Sequence, residues 1–407
     1  MPALCMKLRR ARQYWPTIGE HDMSEQQAVE RKGTWRLKDG VNRIWRIGRP
    51  MAGIPTVDDY RLEEASVPQP GEGQLLIRNI YIAIAPGIRP IMPYAGFEPE
   101  VSNQPSKGRV DASDDEILMS HMTVGDRMRS GMVPSMSPHT GGNVGRVIES
   151  RHPGFKAGDY VFGGRFWQDF EVVDGDATLR VDPEDLPIEA NLGMVGLSAF
   201  TGWVGYRRFC EAKPGETMVI SAAAGAVGMM VIQMAKAEGL QVIGIASGAE
   251  KCRFVTEELG ADACIDRLTA DVGAELDRLA PKGIDIYFDN VAGNLMTPVF
   301  DRLKPFGRLI VCGMAAEYNG FEQSSISTGM ILGKRLRIQG FVVTDYESEN
   351  DAFRADVSKM WREGKITYKH HMYNGLESAP DALAASLSGA YAGGKIIVQV
   401  SEDDSKA

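Results

Sequence analysis

The residues of this 407-residue chain that could do chemistry are a run of small residues around one turn, and a lysine and two tyrosines placed after it. The stretch Met218-Val219-Ile220-Ser221-Ala222-Ala223-Ala224-Gly225-Ala226-Val227-Gly228 reads as a buried strand, a small-residue turn and the start of a helix that runs to a stop at Gly239. Amides at such a helix start are unpaired donors at the positive end of the helix dipole, and they can hold a pyrophosphate. Ala223 stands where the first glycine of G-x-G-x-x-G would be, so only the second half of the pattern is met, at Gly225 and Gly228. A small-residue turn also serves plain packing in any α/β sheet, and that reading stays open on these residues alone.

The next strand and its surroundings bear on cofactor type. An NAD site needs a carboxylate at the end of the second strand, roughly 20 residues past the glycines, to hold the ribose 2′-hydroxyl. Here that strand ends Ala246-Ser247-Gly248-Ala249, with Lys251 just beyond. Small residues leave room for a 2′-phosphate and Lys251 can neutralise it, so NADP is expected; a solvated surface lysine is the competing reading. Tyr287 lies just before the C-terminal end of a strand, and Tyr318 lies six residues past strand-ending Cys312. A phenol can protonate or hydrogen-bond a developing enolate, and ligands bind at that edge of a parallel sheet. A packed aromatic with a satisfied hydroxyl is the competing reading for both. The histidines (His21, His121, His139, His152, His370, His371) pair with no cysteine or carboxylate at ligand spacing, so no metal is expected. There is no G-x-S-x-G elbow, and hydride transfer needs no protein nucleophile.

Elements to position these groups follow in chain order. Aromatic and basic residues alternate from Thr34 to Ile47, suggesting an opening strand pair turning at Asp39-Gly40. The segment 60–73 leading into 74–84 reads as two strands joined by a Pro/Gly-rich turn, and further strands read at 145–150 and 159–163 between frequent turns, as a mostly antiparallel β domain. Residues 96–140 are long for a connector and read as a lid, a binding loop or a disordered tract. From about Pro187 strands and helices alternate: strands at 218–221, 241–246, 263–266, 284–289, 308–312 and 336–343, helices at 250–259, 269–279 and 295–303. That is a doubly wound parallel sheet. The tail, with strand Ile396–Val400, is expected to return to the β domain.

Length asks for two domains. A formal charge of -9 and a pI near 5.4 exclude a basic nucleic-acid footprint, and no run is apolar enough for a membrane helix. Cys5, Cys210, Cys252, Cys264 and Cys312 are odd in number and scattered, which points to free thiols in a reducing cytoplasm. Met1–Arg12 is basic without a secretory apolar core, and Met23 looks like a natural start, so residues 1–22 read as a leader, with a transit peptide as the rival reading.

Several separate stretches together resemble one family. They are Gly141-Gly142-Asn143-Val144-Gly145-Arg146-Val147-Ile148-Glu149-Ser150, Trp167-Gln168-Asp169-Phe170, Ala222–Gly228, Tyr287-Phe288-Asp289-Asn290-Val291, Cys312-Gly313 with Tyr318-Asn319, and Gly340-Phe341-Val342-Val343. Over Asn42 to Val400 the chain is similar to the zinc-free medium-chain dehydrogenase/reductases of the prostaglandin reductase and alkenal/enone double-bond reductase branch, which includes bacterial curcumin reductase. The resemblance implies an N-terminal extension at 1–33, expected to be disordered, a GroES-like substrate domain at 34–186, an NADP-binding Rossmann domain at 187–352 and a return at 353–407. It implies NADPH and reduction of the carbon-carbon double bond of an α,β-unsaturated aldehyde or ketone, with hydride passing to the β-carbon and the enolate protonated at the α-carbon. It places the catalytic tyrosine on Tyr287. Cofactor contacts fall on Ala223, Ala224, Gly225, Ala226, Val227, Gly228, Ser247 and Lys251, with Tyr318 also on the 2′-phosphate side. Cys312 and Gly313 fall in the same set, and Asn290 with Phe341, Val342 and Val343 fall near the nicotinamide. Tyr81, Gly87 and Arg89 are expected at the substrate pocket. The family's Asp-Pro-Tyr-Met-Arg is here Ala85-Pro86-Gly87-Ile88-Arg89, which removes a tyrosine and implies a wider pocket for a bulkier enone. A homodimer through edge strands is implied as well. A quinone reductase of a sister branch and a catalytically silent NADPH-binding protein are the competing functions.

Overall fold

The computed structural model describes residues 40–92, 132–135, 142–318 and 324–406. The expected extension, residues 34–38 of the opening strand and most of 96–140 lie outside these. In the first domain β1 (Val41–Ile47) pairs antiparallel with β2 (Tyr60–Ser66). Then come β3 (Gln74–Ala83), β4 (Asn143–Ser150), β5 (Tyr160–Gly164), β6 (Phe170–Asp174) and β7 (Leu179–Val181). Strand β3 is the centre of this domain: Leu75, Leu76, Ile77 and Ile80 to Ala83 are all buried, so both of its faces are covered. Such burial stabilises by roughly 1.5–3 kcal/mol for each large apolar side chain.

The second domain begins with α1 (Leu197–Gly205), which continues as a π-helical turn, Tyr206–Cys210. It then alternates β8 (Thr217–Ser221), α2 (Ala226–Ala237), β9 (Gln241–Ala246), α3 (Ala249–Arg253, extended through Phe254–Glu258), β10 (Ala263–Asp266), α4 (Val272–Leu279), β11 (Ile284–Asp289), α5 (Met296–Phe300), β12 (Leu303–Val311), α6 (Thr328–Lys334) and β13 (Arg337–Gly340). The sheet is six-stranded in the order β10-β9-β8-β11-β12-β13, every pair parallel. All of β8 is buried, as a central parallel strand covered by helices on both faces must be. Strand order reverses between β8 and β11, the switch point at which such sheets bind ligands.

After α7 (Asn350–Arg362), β14 (His370–Asn374), α8 (Ala379–Ser388) and β15 (Lys395–Gln399) complete the first domain, whose sheet runs β14-β15-β3-β4-β5-β7 with β6 also on β3. Two local expectations change. The helix expected over 295–303 ends at Phe300, because Leu303 is already paired with Ile284 and opens β12. Helix α7 stays with the nucleotide domain: Phe353, Val357 and Met360 are buried in its core, and the Phe353 ring lies 5.1 Å from that of Phe200 in α1. The chain therefore returns to the first domain beyond α7.

Candidate cofactor cleft and active site

The turn after β8 is built for close approach. Ala222 is in the left-handed region (φ 46), and Gly225 caps α2 with no side-chain hydrogen bond to the first-turn amides. Those amides are left for a ligand. Gly228 has a different task. A Cβ there would fall 2.5 Å from the Ala223 carbonyl oxygen and 2.7 Å from that of Ala222, so only glycine lets α2 lie against the turn. Ala223 does the work of the missing first glycine without strain in a core where it is fully buried.

In front of this turn is a cavity of about 600 Å³, lined by Ala222, Ala224 and Gly225, by Ser247 and Lys251, and by Val291, Ala292, Ala315 and Ala316 from the loops after β11 and β12. It sits at the β8/β11 switch point. One end is cationic. Lys251, 9% exposed, donates to the Gly389 carbonyl at 2.7 Å and lies 4.4 Å from the centre of the Tyr391 ring. Arg267, just past β10, donates from Nε to the Ser247 hydroxyl at 3.0 Å. Burial and then the Arg267 charge lower the Lys251 pKa. Asp271 is the carboxylate on this lining, and its side chain is engaged as the N-cap of α4. Two cations and a hydroxyl converging on a cleft suit a phosphate dianion. Sequence reasoning missed Arg267. It reaches the cleft only because β10 lies beside β9, which no local spacing announces.

The loops beyond are tied to this edge. Ser221 donates to buried Asp289 at 2.7 Å, and Asp289 also accepts the amides of Val291 and Ala292. The Asn290 amide nitrogen donates to the Ser221 carbonyl at 2.8 Å, so Asn290 bridges β8 and β11. Amides of Cys312 and Gly313 donate to the Asp289 carbonyl, and those of Ala315 and Ala316 to Asn290 and Val291. A buried carboxylate and these bonds fix the loop that carries Tyr318.

The structure thus brings together Ala223 to Gly228, Ser247 and Lys251, and sets Asn290, Cys312, Gly313 and Tyr318 on adjoining loops of the same edge. Phe341 to Val343 lie past the edge strand, with the Phe341 ring 5.2 Å from Phe209 and Val342 mostly exposed. Tyr287 is elsewhere than expected. Side chains of β11 alternate between faces, and Tyr287 points away from Phe288 into the apolar cluster of Val219, Leu276, Met296 and Leu309. It has no exposed surface and is not on the cavity lining; burial, with Asp289 nearby, raises its pKa well above that of an ordinary phenol. Of the pocket expectations, Tyr81 is buried and donates to Asp403 of the C-terminal tail at 2.9 Å, and buried Arg89 donates to the Gly53 carbonyl at 3.0 Å. Both are engaged in holding the first domain together. Gly87 is exposed, and a Cβ there would meet nothing within 4 Å.

A parallel six-stranded sheet with a phosphate-ready cleft at its switch point, joined to an antiparallel β domain, is the architecture of a two-domain medium-chain dehydrogenase/reductase. Comparison with known proteins agrees: residues 226–362 match the family described as zinc-binding dehydrogenase, and 43–100 with 101–181 match the N-terminal domain of oxidoreductase. The chain is 34% identical to the NADPH-dependent curcumin reductase of Escherichia coli (89% of this chain, 98% of that protein) and 33% identical to the NADP(+)-dependent 2-alkenal reductase of Nicotiana tabacum (82% and 94%). The solved structure of CurA from Vibrio vulnificus in complex with NADPH superposes with a TM-score of 0.73 at 31% identity, over 89% of this chain and 100% of that one. The chain belongs to the zinc-free, enone-reductase branch of the family. Despite the description of the nucleotide-domain family, no group of three or more His, Cys, Asp or Glu residues suited to a metal occurs among the described residues.

Proposed function

We propose that this chain catalyses the NADPH-dependent reduction of the carbon-carbon double bond of α,β-unsaturated ketones or aldehydes. The single observation that carries the cofactor half is the cationic end of the cleft, where Lys251 and Arg267 face the position a 2′-phosphate takes beyond the second strand. The α2 amides, brought close by Gly228, would hold the pyrophosphate, and Ser247, Lys251 and Arg267 would hold the 2′-phosphate. The chemistry that bound NADPH supplies is hydride delivery to the β-carbon. The family relationship supports the enone half, since the relatives are named as curcumin and alkenal reductases.

Tyr318 is the phenol we assign to the enolate. It is half-buried, on the loop whose Ala315 and Ala316 line the cleft, and like any phenol it is protonated at neutral pH, with burial raising its pKa further. Tyr287, the phenol that the family resemblance implies, is buried with its hydroxyl near Asp289, and its substitution is the parallel test. We place the protein in the cytoplasm, in keeping with its free thiols. We also read it as a homodimer formed at the β13 edge, where α6 has no buried residue and Leu332 is 80% exposed. No helix of the described residues is long and apolar enough to cross a membrane.

The test is NADPH consumption against enals, aryl enones and quinones, with NADH alongside and with Tyr318→Phe and Tyr287→Phe. Enone turnover that prefers NADPH and falls at least tenfold in Tyr318→Phe, with Tyr287→Phe changing stability more than kcat, supports the assignment. Quinone-only turnover would move the chain to the quinone reductases, and NADPH binding without turnover would make it a silent binder.

A further inference from the structure

Cys252 and Cys264 are twelve residues apart in sequence and meet in space. Cys252 is in the first turn of α3, Cys264 is in β10, and their Sγ atoms lie 2.7 Å apart. Gly244 of β9 is the register partner of Cys264; a Cβ there would clash with Val255 Cγ1 at 2.7 Å and Ala223 Cβ at 2.8 Å, while the Cys264 sulfur would lie at an ordinary contact distance of 3.6 Å. Both residues are partly accessible, unlike Cys210, which is fully buried. The remaining described cysteine, Cys312, belongs to the loop after β12. No step of the reduction proposed above uses either Cys252 or Cys264.

We propose that Cys252 and Cys264 are a thiol-oxidation site that closes to an intramolecular disulfide when the protein meets a hydroperoxide. Whichever sulfur is deprotonated, its neighbour can donate an S–H to it; the start of α3 favours the thiolate on Cys252, which is the attacking group. The Cys252 thiolate attacks one peroxide oxygen; the S–O bond forms, the O–O bond breaks, and the leaving hydroxide takes up the proton lost by Cys252 to become water. The Cys264 sulfur then attacks the sulfenic sulfur; the S–S bond forms, the S–O bond breaks, and hydroxide leaves with the Cys264 proton as a second water. Two thiols are oxidised, one hydrogen peroxide is reduced to two waters, and a dithiol reverses the bond by exchange. Because the sulfurs already touch, closure needs little movement of α3 against β10. The bond joins the helix that carries Lys251 to the strand that leads into Arg267.

The experiment is mild hydrogen peroxide treatment of the full-length protein, followed by alkylation under denaturing conditions, intact mass and peptide mapping. The expected result is the loss of two hydrogen masses and two alkylatable thiols, a bridged pair of peptides containing Cys252 and Cys264, and full reversal by dithiothreitol. In Cys264→Ser a dimedone adduct accumulates on Cys252 instead, and in Cys252→Ser the Cys264 thiol stays alkylatable. Mapping of the unsubstituted protein decides the question even where a variant folds poorly. Both thiols remaining fully alkylatable after peroxide, or a bridge that joins other cysteines or two chains, would overturn the proposal.

Discussion

Removing the two cations at the end of the cleft separates a 2′-phosphate site from a merely basic surface. Lys251 is 9% exposed and points into the cavity, so its contact with a phosphate is a charge-assisted hydrogen bond in a poorly solvated place. Such bonds contribute about 1.5–3 kcal/mol, and roughly 2 kcal/mol corresponds to about 30-fold in affinity. Arg267 is exposed, where solvent screening leaves about 1 kcal/mol or less, a few-fold at most. Lys251→Ala also removes the bond to Gly389 and the contact with Tyr391, but that loss acts on NADH and NADPH alike. The readout is therefore the ratio of kcat/KM for NADPH to that for NADH. It is expected to fall about 30-fold in Lys251→Ala, a few-fold in Arg267→Ala, and on the order of 100-fold in the double variant if the two add. The wild-type preference should also shrink as ionic strength rises, more through Arg267 than through Lys251. A drop in both cofactors with the ratio unchanged would refute the reasoning, since it would show that neither cation meets the group that distinguishes them.

Three further outcomes follow from the same structure. Gly228→Ala sets a methyl 2.5 Å and 2.7 Å from two backbone oxygens that belong to the strand-helix turn, so α2 must shift; overpacking of this kind costs about 1–3 kcal/mol, and both the thermal midpoint and NADPH affinity by fluorescence titration should fall. Gly87→Tyr sets its Cβ in open space on an exposed position, so the fold should be retained while competition between a small enal and an aryl enone shifts toward the enal; an unchanged preference would remove Gly87 from the pocket. Buried Glu171, which accepts the Arg165 amide at 2.9 Å on each oxygen, has its pKa pushed up from 4.5 to about 7 by burial. The native state then holds the proton more tightly than the unfolded chain, so this contribution is complete below the unfolded pKa and is lost as pH rises through about 7, on the order of 3 kcal/mol in all. Urea midpoints should fall between mildly acidic and mildly alkaline pH in the wild type and fall less in Glu171→Gln; parallel slopes would show that Glu171 is not the group responsible.

What was legible in the sequence follows from which signals are local. Period, turn chemistry and glycine spacing are backbone properties, and they placed all six strands of the parallel sheet, the turn at Gly225 and Gly228, and the uncharged end of β9 that leaves room beside Lys251. Tyr287 shows where that kind of signal ends. Its position near the end of β11 correctly puts its backbone at the ligand edge, but a strand side chain faces one side of the sheet or the other, and the side is set by parity. Phe288 points into the core shared with α1 and α2, so Tyr287 must point to the opposite face, under α4 and α5, where burial and Asp289 hold its hydroxyl neutral. Both faces of β11 are buried, so which of them Tyr287 takes is decided by the helices packed on each side and not by the strand's own alternation. Arg267 and the Cys252–Cys264 contact are different in kind. Each depends on β10 lying beside β9 and on α3 crossing between them, a long-range arrangement that no local spacing encodes. Tyr287 is thus placed by strand parity and Arg267 by strand order, while Tyr318, on a loop, is free of the parity constraint.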